Sequence, residues 1–180
     1  MTLSELINQA LAELDHPADT ASLNLWRTKL TLFANDAIDD LARTFRPWRR
    51  ESATLQNGTI DLGTMSRPVS KLLGVERKGL RVPFYYGTDV QTVHLKGLED
   101  GPVSVVYRYQ PASLSAPGDE PDLPSASHPL IVLYMVARFE MHNDPQGLNH
   151  ANMLLSLYER RKRRLRMDYD EPYGCTITGV

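Results

Sequence analysis

Cysteine is almost absent from this sequence of 180 residues, which contains only Cys175. A single cysteine excludes an internal disulfide framework and any cysteine-rich zinc site. Long apolar runs are also missing, since Leu130–Ala137 is the longest and a membrane-spanning helix needs about twenty residues. The first residues have neither the basic start nor the apolar stretch of a signal peptide. We therefore expect no membrane partner, and either a reducing compartment or no dependence on thiols.

The usual signatures of catalysis are missing as well. The sequence has no nucleophile elbow, phosphate-binding loop, dinucleotide fingerprint or zinc-protease motif. His142, Asp144 and His150 surround one predicted helix junction, but their spacing matches no standard metal site, and roles at helix caps explain them better. We expect no enzyme, no metal and no cofactor. A small metal-dependent hydrolase remains an alternative that metal analysis of the purified protein would test.

What the sequence does contain is enough apolar material for a core, with 42% hydrophobic and 23% charged residues. Thr2 and Glu5 form a capping box that opens a first helix, which Pro17 ends. A second helix is predicted from a cap near Ser22 to Pro47, because proline disfavours helix at the residue before it.

The periodicity changes after Pro47 to short strands separated by turn residues. Asn57-Gly58 is a strong hairpin signal, because both residues tolerate the positive φ angles of a tight turn. The intervals predict a small antiparallel sheet or barrel, with strands at 51–56, 59–62, 69–76, 80–86, 90–96 and 103–109.

The remaining residues are predicted to form a long loop, two helices and a tail. The loop at 110–128 has four prolines, and its length indicates that it bridges distant points or contacts a partner. The fold class is therefore α+β: a bundle of about four helices with an inserted small antiparallel β sheet or barrel and an extended C-terminal tail. The expected parts are N-terminal helices at 1–47, the β lobe at 48–110, the loop at 111–128, C-terminal helices at 129–167 and the tail at 168–180.

Charge is unevenly distributed along the chain. Residues 1–44 carry seven acids and three bases, whereas residues 159–166 carry six bases and one acid. The last fourteen residues are acidic and aromatic. The basic run has three interpretations at this stage: a solvated helix face, docking against acids of another subunit, or contact with nucleic-acid phosphates.

The order of these parts resembles that of bacteriophage head–tail connector proteins of the adaptor kind, which form the ring below the portal. The resemblance is carried by Leu3–Ile7, Trp26, Asn35–Ala37, Leu41, Thr59–Leu62, Val105–Tyr109, Leu123–Leu130, Asp144-Pro145, Asn149, Ala151 and Tyr158. The strongly basic final helix is a departure from the family's pattern.

The resemblance implies a structural role in the virion, at the head–tail interface, for a protein made in the bacterial host cytoplasm. Its implied partners are the portal protein, neighbouring copies in a ring of probably twelve, the next neck or tail protein, and genomic DNA that passes through the lumen without sequence-specific binding. A DNA-binding or packaging accessory protein, acting through the basic helix, is the alternative.

Three sets of residues are predicted to make these contacts. The family's C-terminal extension often reaches the portal, and here the portal-binding set is Asp168, Tyr169, Asp170, Glu171, Tyr173 and Ile177. The set facing a neighbouring subunit or the portal is Arg160, Arg161, Lys162, Arg163, Arg164 and Arg166, and the lumen is expected to be neutral or acidic. The set facing the next neck or tail protein is Arg77, Lys78, Arg81, Tyr85 and Tyr86.

Overall fold

Helix α1 (Leu3–Glu13) begins at the predicted capping box. In this computed structural model, which describes residues 1–17, 19–143 and 148–166, the Thr2 hydroxyl accepts a hydrogen bond from the Glu5 amide, and the Glu5 carboxylate accepts one from the Thr2 amide. The chain divides into two units, one of residues 1–45 and 111–180 and the other of residues 46–110. The first unit holds all the helices named below, and the second holds all the strands.

Helix α2 (Thr20–Phe45) starts two residues earlier than the predicted cap. Ser22 lies within the helix, and the Asp19 carboxylate in front of it accepts a hydrogen bond from the Ser22 amide at 2.8 Å. A charged acceptor at a helix N-terminus satisfies an otherwise free amide and interacts well with the helix dipole, which is why the start moves to Asp19. The helix ends before Pro47 as predicted, and Arg46 has a φ of +51°.

Helix α3 (His128–Asn143) lies at the centre of the helical unit and packs against the three other helices. Its long apolar run is buried, as the sequence predicts for a helix of this length. Helix α4 (Leu148–Arg166) runs antiparallel to α3, since Glu140 pairs with His150 near one end and Tyr134 contacts Tyr158 near the other. Helix α2 is also antiparallel to α3, since Trp26 near its start contacts Phe139 and Asp40 near its end shares a groove with Tyr134, so α2 and α4 run parallel.

The proline-rich loop packs against its own helical unit. Leu114 and Leu123 are buried in the helical core, and the Asn35 side chain holds Leu114 through two hydrogen bonds. The loop's carbonyls also accept hydrogen bonds from the amides that open α1. A short 3₁₀ turn at Ser125–Ser127 leads into α3. This turn was not predicted from the sequence. These contacts within the helical unit explain why the loop is long.

The second unit contains seven antiparallel strands in two sheets. The strands are β1 (Trp48–Leu55), β2 (Thr59–Asp61), β3 (Val69–Arg77), β4 (Leu80–Val82), β5 (Tyr85–Tyr86), β6 (Thr92–His94) and β7 (Gly101–Tyr109). One sheet has the order β1-β7-β3-β4 and the other has the order β2-β6-β5. Their apolar faces share one core, which includes Leu55, Ile60, Val75, Val93 and Tyr107.

The predicted hairpin turn is present, but it links the two sheets rather than two strands of one sheet. Asn57 and Gly58 both have positive φ, at +51° and +71°. The predicted strand 80–86 is in fact two strands in different sheets, because Pro83 lacks the amide that a continuous strand would need. The α+β class is confirmed, with four helices and antiparallel sheets.

Candidate assembly surfaces

The junction between α2 and α4 contains the only charged side chain that is buried among the described residues. Lys162 on α4 is 7% exposed, and its ammonium donates hydrogen bonds to Asp40 of α2 and to Glu159, each at 2.7 Å. The Tyr158 hydroxyl donates a further hydrogen bond to the same Asp40 carboxylate at 2.6 Å. One acid on α2 therefore holds two side chains of α4.

Burial and charge act against each other at this junction. Burial by itself would lower the pKa of Lys162, but hydrogen bonds and attraction from Asp40 and Glu159 outweigh it and raise that pKa. Burial raises the pKa of the Tyr158 hydroxyl strongly, and its bond to the Asp40 carboxylate raises it further. Lys162 thus stays protonated and Tyr158 stays neutral at any physiological pH.

The helical repeat explains why Lys162 differs from the other bases of its run. Ala151, Tyr158 and Lys162 fall on one face at spacings of seven and four, and that face is buried. The sequence predicts Lys162 among the residues that face a neighbouring subunit or the portal. The structure corrects this, because the ammonium is buried and bound within its own chain.

The other described bases of the run are exposed. Arg160, Arg161, Arg163 and Arg164 lie on the surface, and none of the four has a hydrogen bond or ion pair with residues 1–17, 19–143 or 148–166. Positive charge in the last turns of a helix is favourable for the helix dipole, so part of this pattern is structural. The side chain of Arg166 lies outside the described residues.

An acidic groove lies between α2 and α4. It is an open groove of about 480 Å³ lined by Asp36, Asp39, Asp40, Arg43, Tyr134, Leu155, Tyr158 and Glu159. Burial raises the pKa of Tyr134 in its wall. Leu155 and Glu159 also belong to the adjoining α4 surface that carries Arg160 and Arg163. Acidic and basic groups are therefore close together on this flank of the helical unit.

Two exposed leucines extend the outer face of α2 beyond this groove. Leu25 and Leu32 are 66% and 58% exposed, and they are seven residues apart on one face of the helix. The exposure of these two leucines was not predicted from the sequence. Their positions in the sequence indicate this exposure, since neither leucine belongs to the apolar stripe that begins at Trp26.

The candidate residues of the β unit fall into two groups. The guanidinium groups of Arg77 and Arg81 donate to backbone carbonyls of Glu99 and Leu73 in their own unit. Lys78 lies in the β3–β4 turn, and Tyr85 and Tyr86 are about half exposed on the edge strand β5. Tyr85 stacks on His94 at 5.2 Å between ring centroids.

Two exposed apolar residues of the β unit were not predicted. Leu80 and Val90 are among the most exposed large hydrophobic side chains, and Val90 and Tyr86 line an open pocket of about 610 Å³. Both residues are predicted to start strands, but only Leu80 does so, at the start of the edge strand β4, and Val90 lies in the turn before β6. The sequence pattern of a short strand does not reveal which side chains lack a cover.

The remaining sequence candidates do not form a site within the described residues. The predicted portal-binding residues, Asp168, Tyr169, Asp170, Glu171, Tyr173 and Ile177, lie outside them, as does Asp144. The His150 ring pairs with Glu140, and His142 bonds to the Arg138 carbonyl. No group of three His, Cys, Asp or Glu side chains suited to a metal ion occurs in the part of the chain that is described. In that part, no helix is long and apolar enough to cross a membrane.

Comparison with known proteins gives one match to a family. The profile of the SU10 adaptor protein family matches residues 1–176. Among solved structures, a chain from "Neck of empty GTA particle computed with C6 symmetry" is 13% identical with a TM-score of 0.35, and the alignment covers 89% of this chain and 88% of that chain. No curated protein matches the chain. The family match, and not the distant structural likeness, carries the conclusions that follow.

Proposed function

Because this chain belongs to the SU10 adaptor protein family, we propose that it is a head–tail adaptor of a tailed bacteriophage that forms a ring, binds the portal and extends the DNA channel. The family membership confirms the resemblance to adaptor proteins drawn from the sequence, and it implies a structural role in the virion. The match over residues 1–176 is the observation that carries the proposal. Twelve copies is the proposed number, and the host cytoplasm is the proposed place of synthesis.

A ring of identical copies needs two unlike, complementary sides on each subunit, because its contacts are heterologous. The helical unit offers such sides. Acids line the groove on α2, and four exposed arginines lie on α4. Lys162 takes no part, because it is bound within its own chain. These surfaces support contacts between neighbouring copies, or between the arginines and the portal.

The portal contact is assigned to the C-terminal residues. Fourteen residues follow Arg166, and a fully extended segment of this length spans up to about 45–50 Å. In this proposal Tyr169, Tyr173 and Ile177 fill pockets on the portal, and Asp168, Asp170 and Glu171 pair with bases there.

The β unit is assigned to the next neck or tail protein. Lys78, Tyr85 and Tyr86 are exposed and support this contact directly. Arg77 and Arg81 contribute by holding the loop before β7 and strand β3, since their guanidinium groups donate to the backbone carbonyls of Glu99 and Leu73.

The lumen is assigned a neutral or acidic surface. Duplex DNA carries one charge about every 1.7 Å along its axis, so a lumen lined with arginine would hold the genome rather than let it pass. The arginines of α4 therefore face a neighbouring subunit or the portal in this proposal. A map of the assembled neck with most of these side chains pointing at the channel axis would contradict it.

Removing the tail tests the portal contact. We expect a chain that lacks residues 169–180 to keep its fold, measured by circular dichroism, and to lose binding to purified portal rings. As a matched control, the full-length variant Thr176→Ser/Thr178→Ser should bind like the wild type. Unchanged binding by the truncated chain would refute the tail assignment.

The DNA-binding alternative is favoured by one observation, the four exposed arginines without a partner among the described residues. If it is correct, the isolated protein shifts duplex DNA in a gel, the shift weakens steeply with salt, and replacing Arg160, Arg161, Arg163 and Arg164 by glutamine abolishes it. The adaptor proposal predicts no such shift at physiological salt.

A further inference from the structure

An open groove runs along α4 and ends where the helix ends. It has a volume of about 800 Å³ and is lined by Asn152, Leu155, Ser156, Glu159, Arg160 and Arg163. Residues three and four apart share one side of a helix, so these positions form a single stripe. The same spacing continues from position 163 to position 166, the last residue of α4. The chain therefore leaves the helix at the end of this stripe, which we call the α4 groove.

The α4 groove carries two arginines whose charges have room for a partner. Arg160 and Arg163 are exposed, and neither has a hydrogen bond or ion pair with any described residue. Glu159 of the lining and Asp40 of the adjoining acidic groove are both bound to the Lys162 ammonium, each at 2.7 Å. The nearby acids are thus already paired within the helical unit, and the α4 groove suits an acidic occupant.

The sequence that follows α4 has this character. Residues 168–173, which read Asp-Tyr-Asp-Glu-Pro-Tyr, contain three acids, two tyrosines and no base. Pro172 favours an extended backbone at Glu171, the residue before it. We call Asp168–Tyr173 the acidic segment.

The acidic segment and the α4 groove agree in length. An extended chain advances about 3.3 Å per residue, so the acidic segment spans about 17 Å. A helix rises about 1.5 Å per residue, so the stretch from Leu155 to Arg166 also spans about 17 Å. If the chain reverses at Met167, Tyr173 comes level with Leu155, a half-buried apolar side chain of the lining.

We infer that, before the portal is met, the acidic segment folds back along the α4 groove of its own chain. Asp170 then lies within about half a helical turn of Arg163, and Glu171 lies level with Arg160. The two arginines belong to different rows of the groove, one at positions 152, 156 and 160 and the other at 155, 159 and 163. Consecutive side chains of an extended segment point to opposite sides, so each acid faces its own arginine.

This contact makes a switch that portal binding operates. The inference rests on the proposed function, which assigns the acidic segment to the portal and the arginines to a neighbouring copy or the portal. Exposed ion pairs are individually weak, but the short connection to α4 holds the segment at an effective concentration on the order of millimolar. A portal that binds the segment removes it from the α4 groove and frees Arg160 and Arg163 for their own contacts.

Cys175, the only cysteine, lies two residues after the acidic segment and accepts a spin label without any substitution. Continued in the extended form, the chain brings this label to the first turns of α4. We expect the label to remove the amide NMR signals of Asn149 and Asn152, measured against the same sample after the label is reduced.

A charge reversal identifies the arginines that hold the segment. In Arg160→Glu/Arg163→Glu both pairings become repulsive, and we expect the two amide signals to regain at least about half of their intensity. The matched control is Arg161→Glu/Arg164→Glu, which makes the same change of charge outside the lining of the α4 groove. Its signals should stay lost. Circular dichroism verifies that both variants are folded.

Signals that persist in the labelled wild type, or that return equally in both variants, would overturn the inference. A mixture of spin-labelled chains with ¹⁵N-labelled chains that lack the spin label detects contact between copies, and an equal signal loss there would refute folding back within one chain. The portal contact is tested separately by the truncated chain. If the segment folds back but its removal leaves portal binding unchanged, the tail assignment fails and the α4 contact stands. If portal binding needs the segment but the signals persist, only the switch is wrong.

Discussion

The Lys162 ammonium lies 2.7 Å from the Asp40 carboxylate, 122 positions away in the sequence, and joins the last helix to the second. Acids and bases that the sequence places at opposite ends of the chain thus neutralise each other inside one subunit. This pair also orients α4, because it leaves Arg160, Arg161, Arg163 and Arg164 on the outside. The internal pair therefore decides which charges of the basic run stay on the surface.

Removing the carboxylate should destabilise the helical unit. In Asp40→Ala, Lys162 keeps only Glu159 and the Tyr158 hydroxyl loses its acceptor. We expect a loss of about 2 kcal/mol in the free energy of unfolding, less than the 3–5 kcal/mol of a fully buried pair, because Asp40 is partly open to water. Urea denaturation measures it. Asp36→Ala, one helical turn earlier, serves as the control, and equal effects of the two variants would contradict the role of Asp40.

Stability should fall at mildly acidic pH because of His128. Burial, and then the charge of the Met1 amino group, lower the pKa of this histidine below its ordinary value of 6.5. The unfolded chain therefore takes up a proton at a higher pH than the folded chain does. The contribution of His128 to the free energy of unfolding is fully present above about pH 6.5. It is lost as the pH falls below about 6.5 towards the lowered pKa. Urea denaturation from pH 7.5 to 5 measures the loss.

The His128→Gln variant provides the comparison for this pH dependence. It is less stable at pH 7.5, because it loses a well-packed ring that contacts the Met1 amino group at 2.9 Å and the Leu123 carbonyl at 3.3 Å. Its stability should nevertheless depend less on pH between 7.5 and 5. An equally steep dependence in the variant would assign the effect to other groups.

The tight turn after β1 requires glycine at position 58. Gly58 has a φ of +71°, and a Cβ there would lie 3.3 Å from the Leu95 carbonyl oxygen. We expect Gly58→Ala to lower the free energy of unfolding by about 1–2 kcal/mol. Gly118→Ala is the matched control, because nothing lies within 4 Å of its Cβ position, and it should be nearly neutral. Thermal unfolding measures the midpoints of both variants. Similar midpoints for the two variants would refute the requirement for glycine at position 58.

Asn35 should control the proline-rich loop. Its amide accepts a hydrogen bond from the Leu114 amide at 2.8 Å and donates one to the Leu114 carbonyl at 3.1 Å. Asn35→Ala leaves both backbone groups without their partner, at a cost of about 2 kcal/mol. Thermolysin should then cleave near Leu114 faster than in the wild type. The exposed Asn152→Ala should leave the cleavage rate unchanged, and resistance of the Asn35 variant would contradict this role.

Local signals in the sequence predicted much of this fold. The Thr2–Glu5 capping box and the Asn57-Gly58 turn each depend only on residues that are close in sequence. A short segment of sequence is therefore enough to predict them. The central position of α3 also follows from its long apolar run.

The features that sequence reasoning missed depend on contacts between distant residues. The spacing of Lys162 from Ala151 and Tyr158 places it on the buried face of α4, but the sequence does not show that Asp40, 122 positions away, approaches this face and makes burial of the charge possible. In the same way, Pro83 predicts a break in a strand, but not that the two halves join different sheets. The exposure of Leu25 and Leu32 could be predicted, because neither residue belongs to the buried stripe of α2.

The mass of the complex between the purified chain and its portal ring, measured by native mass spectrometry, tests the adaptor assignment most directly. We predict a single complex whose mass exceeds that of the portal ring by twelve copies of this chain. A portal ring that gains no mass, while the chain remains a folded monomer beside it, would contradict the assignment.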